Sequence, residues 1–312
     1  MNKKVTSMIA ATMATVCAFG FTACGGAKEK NITVVVREAA SGTREAFDKV
    51  VTDGEHYLQE KDESGNTVYN TTKSAVQQTS TGTVLSAVAN DKNAIGYISL
   101  GSVNDGVNVV KVGGVTPSNE TVLSGEYSIQ RPFVVMTNAN VELTARAQDF
   151  MNYLHSDEVQ AHAETAGVIF LEDETKRANA GETAIPVIEY SPLENLPEGD
   201  KIVIRGSTSM EKFINAAAKG YAEQYEAKAE NIFDIQLNGS SEGKKKVIED
   251  TTGNTIGLSS AKVADEKIHS FNVCLDAVAV VVNKSNTTVT DLTLQQLYEI
   301  FSGKVTKFSA LE

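Results

Sequence analysis

The sequence predicts an α/β protein of two similar lobes, each a mostly parallel sheet flanked by helices, with a cleft between them. Three observations carry this. The chain of 312 residues is long enough for two cores of modest size. β-branched runs alternate with stretches of helical periodicity, the pattern of βαβ units. The third is an internal echo. Val34-Val35-Val36-Arg37 leads into AASGTREAF, and Ile202-Val203-Ile204-Arg205 leads into GSTSMEKF. Ser80-x-Gly82 precedes a helix and Ile95-Gly96, while Ser241-x-Gly243 precedes a helix and Ile256-Gly257, each member offset by 161 residues.

The N-terminus stands apart from the fold. Lys3 and Lys4 form a basic start, Val5 to Phe21 is apolar and small, and Phe21-Thr22-Ala23-Cys24-Gly25 puts small residues before a cysteine. This resembles a bacterial lipoprotein signal, with residues 1–23 removed and Cys24 lipidated, although Phe21 stands where Leu is more usual. The alternative is an ordinary secretory signal with an incidental cysteine. Loss of residues 1–23 removes two lysines and no acid, taking the net charge from −12 to −14. A chain this acidic has no general positive field for nucleic acid, so any anion must be held by local donors. Only Cys274 then remains besides the anchor, inside the apolar run 272–282. It reads as a small buried hydrophobe, and no disulfide framework is available.

In chain order, residues 24–30 form the anchor and a polar tether. Ile32 to Val36 is the β-branched run of a buried strand. A helix runs from about Arg44 to Val51, and residues 52–72 are polar surface excursions. Thr83 to Ala89 is helical, Ala94 to Leu100 and Arg131 to Thr137 are strands, and Ala145 to Ala166 reads as one long amphipathic helix. Residues 171–200 are acidic and hold Pro186, Pro192 and Pro197, which marks a linker or surface excursion. Strands follow at 201–205, 235–237 and 256–258, with helices at 210–226 and 243–250. The strongly apolar run 275–282 comes next, and a helix at 293–301 ends before Gly303.

Four loops carry Ser, Thr and Gly at helix starts: Ser41-Gly42-Thr43, Ser80-Thr81-Gly82, Ser207-Thr208-Ser209 and Gly239-Ser240-Ser241. Free N–H groups, the helix dipole and rotatable hydroxyls together cradle a small oxyanion without net positive charge. Taken singly, each loop is simply a helix cap. Repetition in both halves, each time behind a strand ending in arginine, favours an anion site. Arg37 can supply a bidentate clamp. Arg205 is either a second clamp or part of the cleft wall, with the wall favoured. Arg44 lies in the first turn of its helix, where a cation opposes the dipole, so it should face a carboxylate or the ligand. His155 and His162 share a helical face without ligand-spaced partners and read as surface positions. Lys244-Lys245-Lys246 reads as a solvated helix face. No nucleophile-elbow, phosphate-loop or zinc-protease motif is present.

REAASGTREAF, TSTGTVLSAVANDKNAIGYISLGSV, IVIRGSTSM, QLNGSSEG, LDAVAVVVN and TLQQLYEIFSGKVTKFSAL together resemble the PstS family, the phosphate-binding lipoproteins of phosphate ABC transporters. The resemblance covers nearly all of residues 31–312. It implies a two-lobed type II periplasmic-binding-protein fold that encloses phosphate and delivers it to ABC permease subunits. It also implies a monomer tethered to the membrane through its N-terminal lipid, with no cofactor and no nucleic-acid partner. Carried over by position, the ligands are Arg37, Ser41, Gly42 and Thr43 from one lobe. Ser209, Met210 (through its backbone N–H) and Ser240 come from the other. The lobes would comprise 31–128 plus 284–312, and 129–283, with crossings near 127–131 and 283–286.

Two departures from the family stand out. Ser260 occupies the position of an aspartate that, in familiar members, accepts a hydrogen bond from protonated phosphate and so rejects sulfate. A neutral Ser260 repels sulfate less. The SGT half also precedes the GSTS half, so the halves look circularly rearranged, and Ala310–Glu312 should lie near Asn31–Thr33. The leading expectation is therefore an extracytoplasmic phosphate receptor. The alternatives are a receptor for sulfate or another small oxyanion, a phosphatase-like enzyme on the same scaffold, and a structural surface lipoprotein.

Overall fold

A computed structural model describes residues 30–171 and 187–311. The signal segment, Cys24 and part of the acidic stretch lie outside the described residues. The first lobe opens with β1 (Thr33–Arg37) and α1 (Gly42–Asp48). An exposed hairpin of β2 (Gln59–Lys61) and β3 (Thr67–Tyr69) follows, then β4 (Val76–Gln78), α2 (Thr81–Asn90), β5 (Ala94–Ser99), β6 (Val107–Val112) and α3 (Asn119–Leu123). β7 (Gln130–Asn138) enters the second lobe. There α4 (Ala145–Leu154), α5 (Gln160–Ala166) and β8 (Ile169–Phe170) precede β9 (Ile202–Gly206), α6 (Glu211–Glu223), α7 (Ala229–Ile232), β10 (Phe233–Gln236), α8 (Ser240–Glu249) and β11 (Thr255–Ser259). β12 (Ile268–Asn283) returns to the first lobe, which β13 (Asp291–Leu292) and α9 (Leu294–Ser302) complete.

The internal echo is a topological repeat. The main sheet runs β10-β9-β11-β7-β12-β5-β1-β4. In each lobe the first strand is central, with a parallel partner on either side: β4-β1-β5 in one, β10-β9-β11 in the other. The repeated glycines are not equivalent, however. A Cβ on Gly243 would stand 2.8 Å from Gly206 Cα and 2.9 Å from Arg205 O, so α8 packs directly on the β9 backbone, whereas Gly82 has room.

β12 joins the lobes. Residues 268–277 pair with β7, and 278–283 pair with β5 and β6. The second crossing therefore falls at Ala277–Val278 and not at 283–286. That later segment is a turn inside the first lobe, closed by Asn286 N donating to Asn283 O (2.9 Å). The strand is longer than its apolar run because His269, Ser270 and Asn272 break the hydrophobic pattern yet each pairs with β7, with a register shift between Asn272 and Cys274. Cys274 is fully buried within it.

Each lobe has its own core. Phe47, Tyr97, Tyr127, Leu297 and Phe301 anchor the first, with Phe47 stacked on Tyr97 at 4.1 Å between ring centroids. Phe133, Phe150, Tyr153, Phe213 and Tyr221 anchor the second. The ends of the described chain meet, Ile32 N donating to Thr306 O (2.8 Å), and Ile32 and Leu311 pack on one core.

Two elements differ from expectation. The helix at 145–166 is broken after Leu154. Ser156 adopts an extended backbone, its hydroxyl donates to Tyr153 O (2.7 Å), and a 3-10 turn at Asp157–Val159 precedes α5. Serine competing for backbone groups in this way is a common helix breaker. The second difference concerns 187–200, which docks instead of looping free. Ile188 bridges to Ser156, and buried Tyr190 reaches Asp149, whose Oδ2 also accepts from Tyr221 (2.7 Å) and Tyr225 (2.6 Å).

Candidate functional site

The serine- and threonine-rich loops follow the C-terminal ends of β1, β4, β9 and β10, and with the end of β11 they meet between the lobes. In the first lobe Ser41 caps α1, its hydroxyl accepting from Thr43 N (3.2 Å) and Arg44 N (3.4 Å). The next turn of the cleft wall is α2, which begins at Thr81 and is capped by Ser80. In the second lobe Ser207 caps the turn Thr208–Met210, accepting from Ser209 N (3.3 Å).

The lobes touch through hydroxyls. Ser209 Oγ shares one hydrogen bond with Thr43 Oγ1 (2.9 Å) and another with Thr81 Oγ1 (3.1 Å). Thr81 N donates to Thr208 Oγ1 (3.4 Å). Deeper in the second lobe, Ser207 Oγ donates to Ser260 Oγ (2.9 Å), Ser240 and Ser260 hydroxyls share a bond (3.3 Å), and Ser260 N donates to Ser240 Oγ (3.1 Å). Gly42 closes the gap between the two groups: a Cβ there would lie 2.7 Å from Ser260 C and 2.9 Å from Ser240 Oγ. Ser241 Oγ donates to Ala40 O (3.1 Å) across the same cleft.

Arg37 is 2% exposed. Its Nε and Nη2 form a fork on the two oxygens of Glu38 (both 2.8 Å), and Nη1 donates to Thr81 Oγ1 (3.3 Å). Its backbone N donates to the Tyr97 hydroxyl (3.3 Å). Beside it, Arg44 donates from Nε to Asp48 Oδ2 (2.9 Å) and from Nη1 to Arg37 O (3.0 Å), with its guanidinium over the Tyr69 ring. The carboxylate one helical turn on removes the conflict between this cation and the helix dipole. Burial lifts the Asp48 carboxyl to about 6, against the opposing pull of Arg44. A third pair, Arg131 with Asp276, is buried where β7 meets β12. Each guanidinium thus has its own carboxylate, and attraction for an anion rests on directed donors more than on net charge.

The structure brings Arg37, Ser41, Gly42, Thr43, Ser209, Met210, Ser240 and Ser260 into this one region, all of them buried. Two details differ from what the sequence suggests. Met210 N donates to Ser207 O (3.2 Å) within its own turn, so that N–H already has a partner. Arg205 is committed to its neighbouring strand: its Nη1 donates to Ile204 O and Asp234 O, and its Nη2 pairs with Asp234 Oδ2 (2.7 Å) on the β9–β10 edge. Thr81 and Thr208 belong to loops singled out in the sequence yet stood outside the expected ligand set. Glu38, Arg131 and Asp276 lie outside the four Ser/Thr/Gly loop motifs of the sequence. The one available signal was a charge at Arg131 and at Asp276 inside otherwise apolar strands.

Two lobes joined by crossing strands, with facing strand-end loops around a buried polar cluster, define the architecture of a substrate-binding protein. A sequence profile described as a PBP superfamily domain matches residues 13–158 and 164–311. The chain is 34% identical over 304 residues to phosphate-binding protein PstS 2 of Streptococcus pneumoniae strain TIGR4, covering 94% of each chain. It is 32% identical over 284 residues to PstS 2 of Streptococcus agalactiae strain 2603 V/R, covering 90% of this chain and 87% of the relative. The crystal structure of a phosphate ABC transporter phosphate-binding protein from S. pneumoniae TIGR4 superposes with a TM-score of 0.63 at 34% identity, spanning 90% of this chain and all of that one. The chain belongs to the PBP superfamily and, within it, to the PstS family. Its order of halves is shared with the pneumococcal relative, which aligns without rearrangement across 94% of both chains.

Proposed function

We propose that this chain is a non-catalytic receptor that captures inorganic phosphate between its lobes and delivers it to an ABC permease on the extracytoplasmic face of the membrane. The observation that carries the reading is the buried hydroxyl junction at Ser209, met by Thr43 and Thr81 from the opposite lobe with Arg37 on Thr81. Hydroxyl groups that bond one another between the lobes can turn their protons onto a tetrahedral oxyanion. Arg37, already oriented by Glu38, keeps N–H donors for it. Closure of the lobes then excludes water and strengthens each charge-assisted bond. Cys24 serves as the lipid anchor, residues 25–30 as the tether, and the receptor works as a monomer with lobes dividing near Gln130 and Ala277.

A second reading keeps the site and widens the ligand to sulfate, and Ser260 favours it. Ser260 Oγ accepts from Ser207 and is a neutral group, so no carboxylate at this position selects for a protonated oxygen. Equilibrium dialysis of the chain from residue 25 with labelled phosphate, competed by sulfate, separates the two. Phosphate retained against excess sulfate supports the phosphate receptor. Equal competition supports the wider oxyanion receptor, and no retention of either anion refutes both.

A further inference from the structure

Arg131 carries a buried donor that nothing in the described residues satisfies. Its Nε and Nη2 both donate to Asp276 Oδ2 (3.1 and 2.8 Å), and Ser99 Oγ donates to Asp276 Oδ1 (2.9 Å). Its Nη1 is buried and has no hydrogen-bond partner among the described residues. A guanidinium held this rigidly with one arm unpaired is pre-organised for an acceptor that arrives from outside the chain.

Strand alternation places that arm. Along β7, Arg131 shares a face with Phe133 and Val135, and its guanidinium stands over the Phe133 ring at 5.5 Å. Met210 and Phe213 pack in the same core cluster as Phe133 and Val135, next to the Ser207–Met210 turn. On β5, Ser99 shares a face with Tyr97, which stacks on Phe47 of α1 and whose hydroxyl accepts from Arg37 N (3.3 Å). The Arg131–Asp276–Ser99 group therefore lies on the side of the sheet that carries α1 and α6, between the ends of β1 and β9. Burial holds Arg131 below the ordinary arginine range, Asp276 opposes this, and the neighbouring Arg37 cation adds to the lowering.

Building on the phosphate-receptor reading, we propose that Arg131 is a further ligand of the captured anion, donating from Nη1 at the floor of the cleft. Because Arg131 and Asp276 sit on the two strands that cross between the lobes, the anion would be tied to the hinge as well as to both walls.

The test compares wild type with Arg131→Lys, using Arg37→Ala as a reference for loss of the site. Lysine keeps a cation for Asp276 but has no second arm. Arg131→Lys should still fold, with a lowered ligand-free melting temperature, while binding phosphate about tenfold more weakly or worse. Affinity within twofold of wild type overturns the proposal. If wild type binds no phosphate, the receptor reading falls and this inference with it; if wild type binds and Arg131→Lys binds equally, only this inference falls. Should Arg131→Lys fail to fold, a crystal structure of wild type with phosphate decides. A phosphate oxygen within hydrogen-bond distance of Nη1 supports the assignment, and a water or protein group there overturns it.

Discussion

Replacing Gly42 with alanine should separate binding from folding. Gly42 has a φ outside the left-handed region, so its own backbone accepts a side chain, and alanine near a helix start is well tolerated. The obstacle is the opposite lobe. The new Cβ would lie 2.7 Å from both Ser260 C and Ser260 Oγ, where ordinary contact begins at 3.4 Å. A hydroxyl can rotate away, but a backbone carbon cannot, so the lobes must part by about 0.7 Å. The 2.9 Å Thr43–Ser209 bond then passes out of hydrogen-bond range, and the 3.1 Å Thr81–Ser209 bond follows it. The parted lobes lengthen a charge-assisted bond from one wall to the anion, a loss of roughly 1.5–3 kcal/mol, about one to two orders of magnitude in Kd. Calorimetric titration with phosphate reads the affinity, and a cooperative thermal transition without ligand shows that both lobes still fold. Gly42→Ala binding phosphate within about threefold of wild type would refute the reasoning.

Two further predictions concern the supports of the SGT loop. Arg44→Ala removes the partner of a buried carboxylate and the tie to Arg37 O, and should destabilise the chain by about 3 kcal/mol, with Arg44→Lys recovering part of it. Equal urea midpoints for Arg44→Ala and wild type would contradict this. Asp48 has a folded pKa raised from 3.8 to about 6, so its contribution to stability is full below the unfolded value and is lost as pH rises through about 6. Between about pH 7 and about pH 5, wild type should gain about 1 kcal/mol of unfolding free energy relative to Asp48→Asn. Parallel stability–pH curves for the two proteins would show that Asp48 does not titrate in that window.

Local patterning and its repetition made the lobes legible. Ser80 with Ile95 and Ser241 with Ile256 repeat the same loop, helix and strand, and the structure gives both lobes the same strand order. The gathering of Arg37, Thr43 and Ser209 was legible too, since strand ends and helix starts concentrate donors on one side of a parallel sheet. What stayed hidden depends on register or on neighbours distant in sequence. Arg131 and Asp276 are 145 residues apart and meet only because β7 and β12 pair antiparallel in that register. Glu38 adjoins Arg37, but a carboxylate beside a candidate anion-binding arginine argues against such a site until its fork geometry is seen. The break at Ser156 left no trace because the apolar spacing runs on through both α4 and α5.

Calorimetric titration of phosphate into the chain from residue 25, comparing wild type with Thr43→Val and Ser209→Ala, tests most directly whether one anion is held by both lobes. Wild type should bind a single phosphate, and each variant should bind about tenfold more weakly or worse, because each removes one lobe's hydroxyl from the junction. No binding by wild type, or wild-type affinity in either variant, would contradict it.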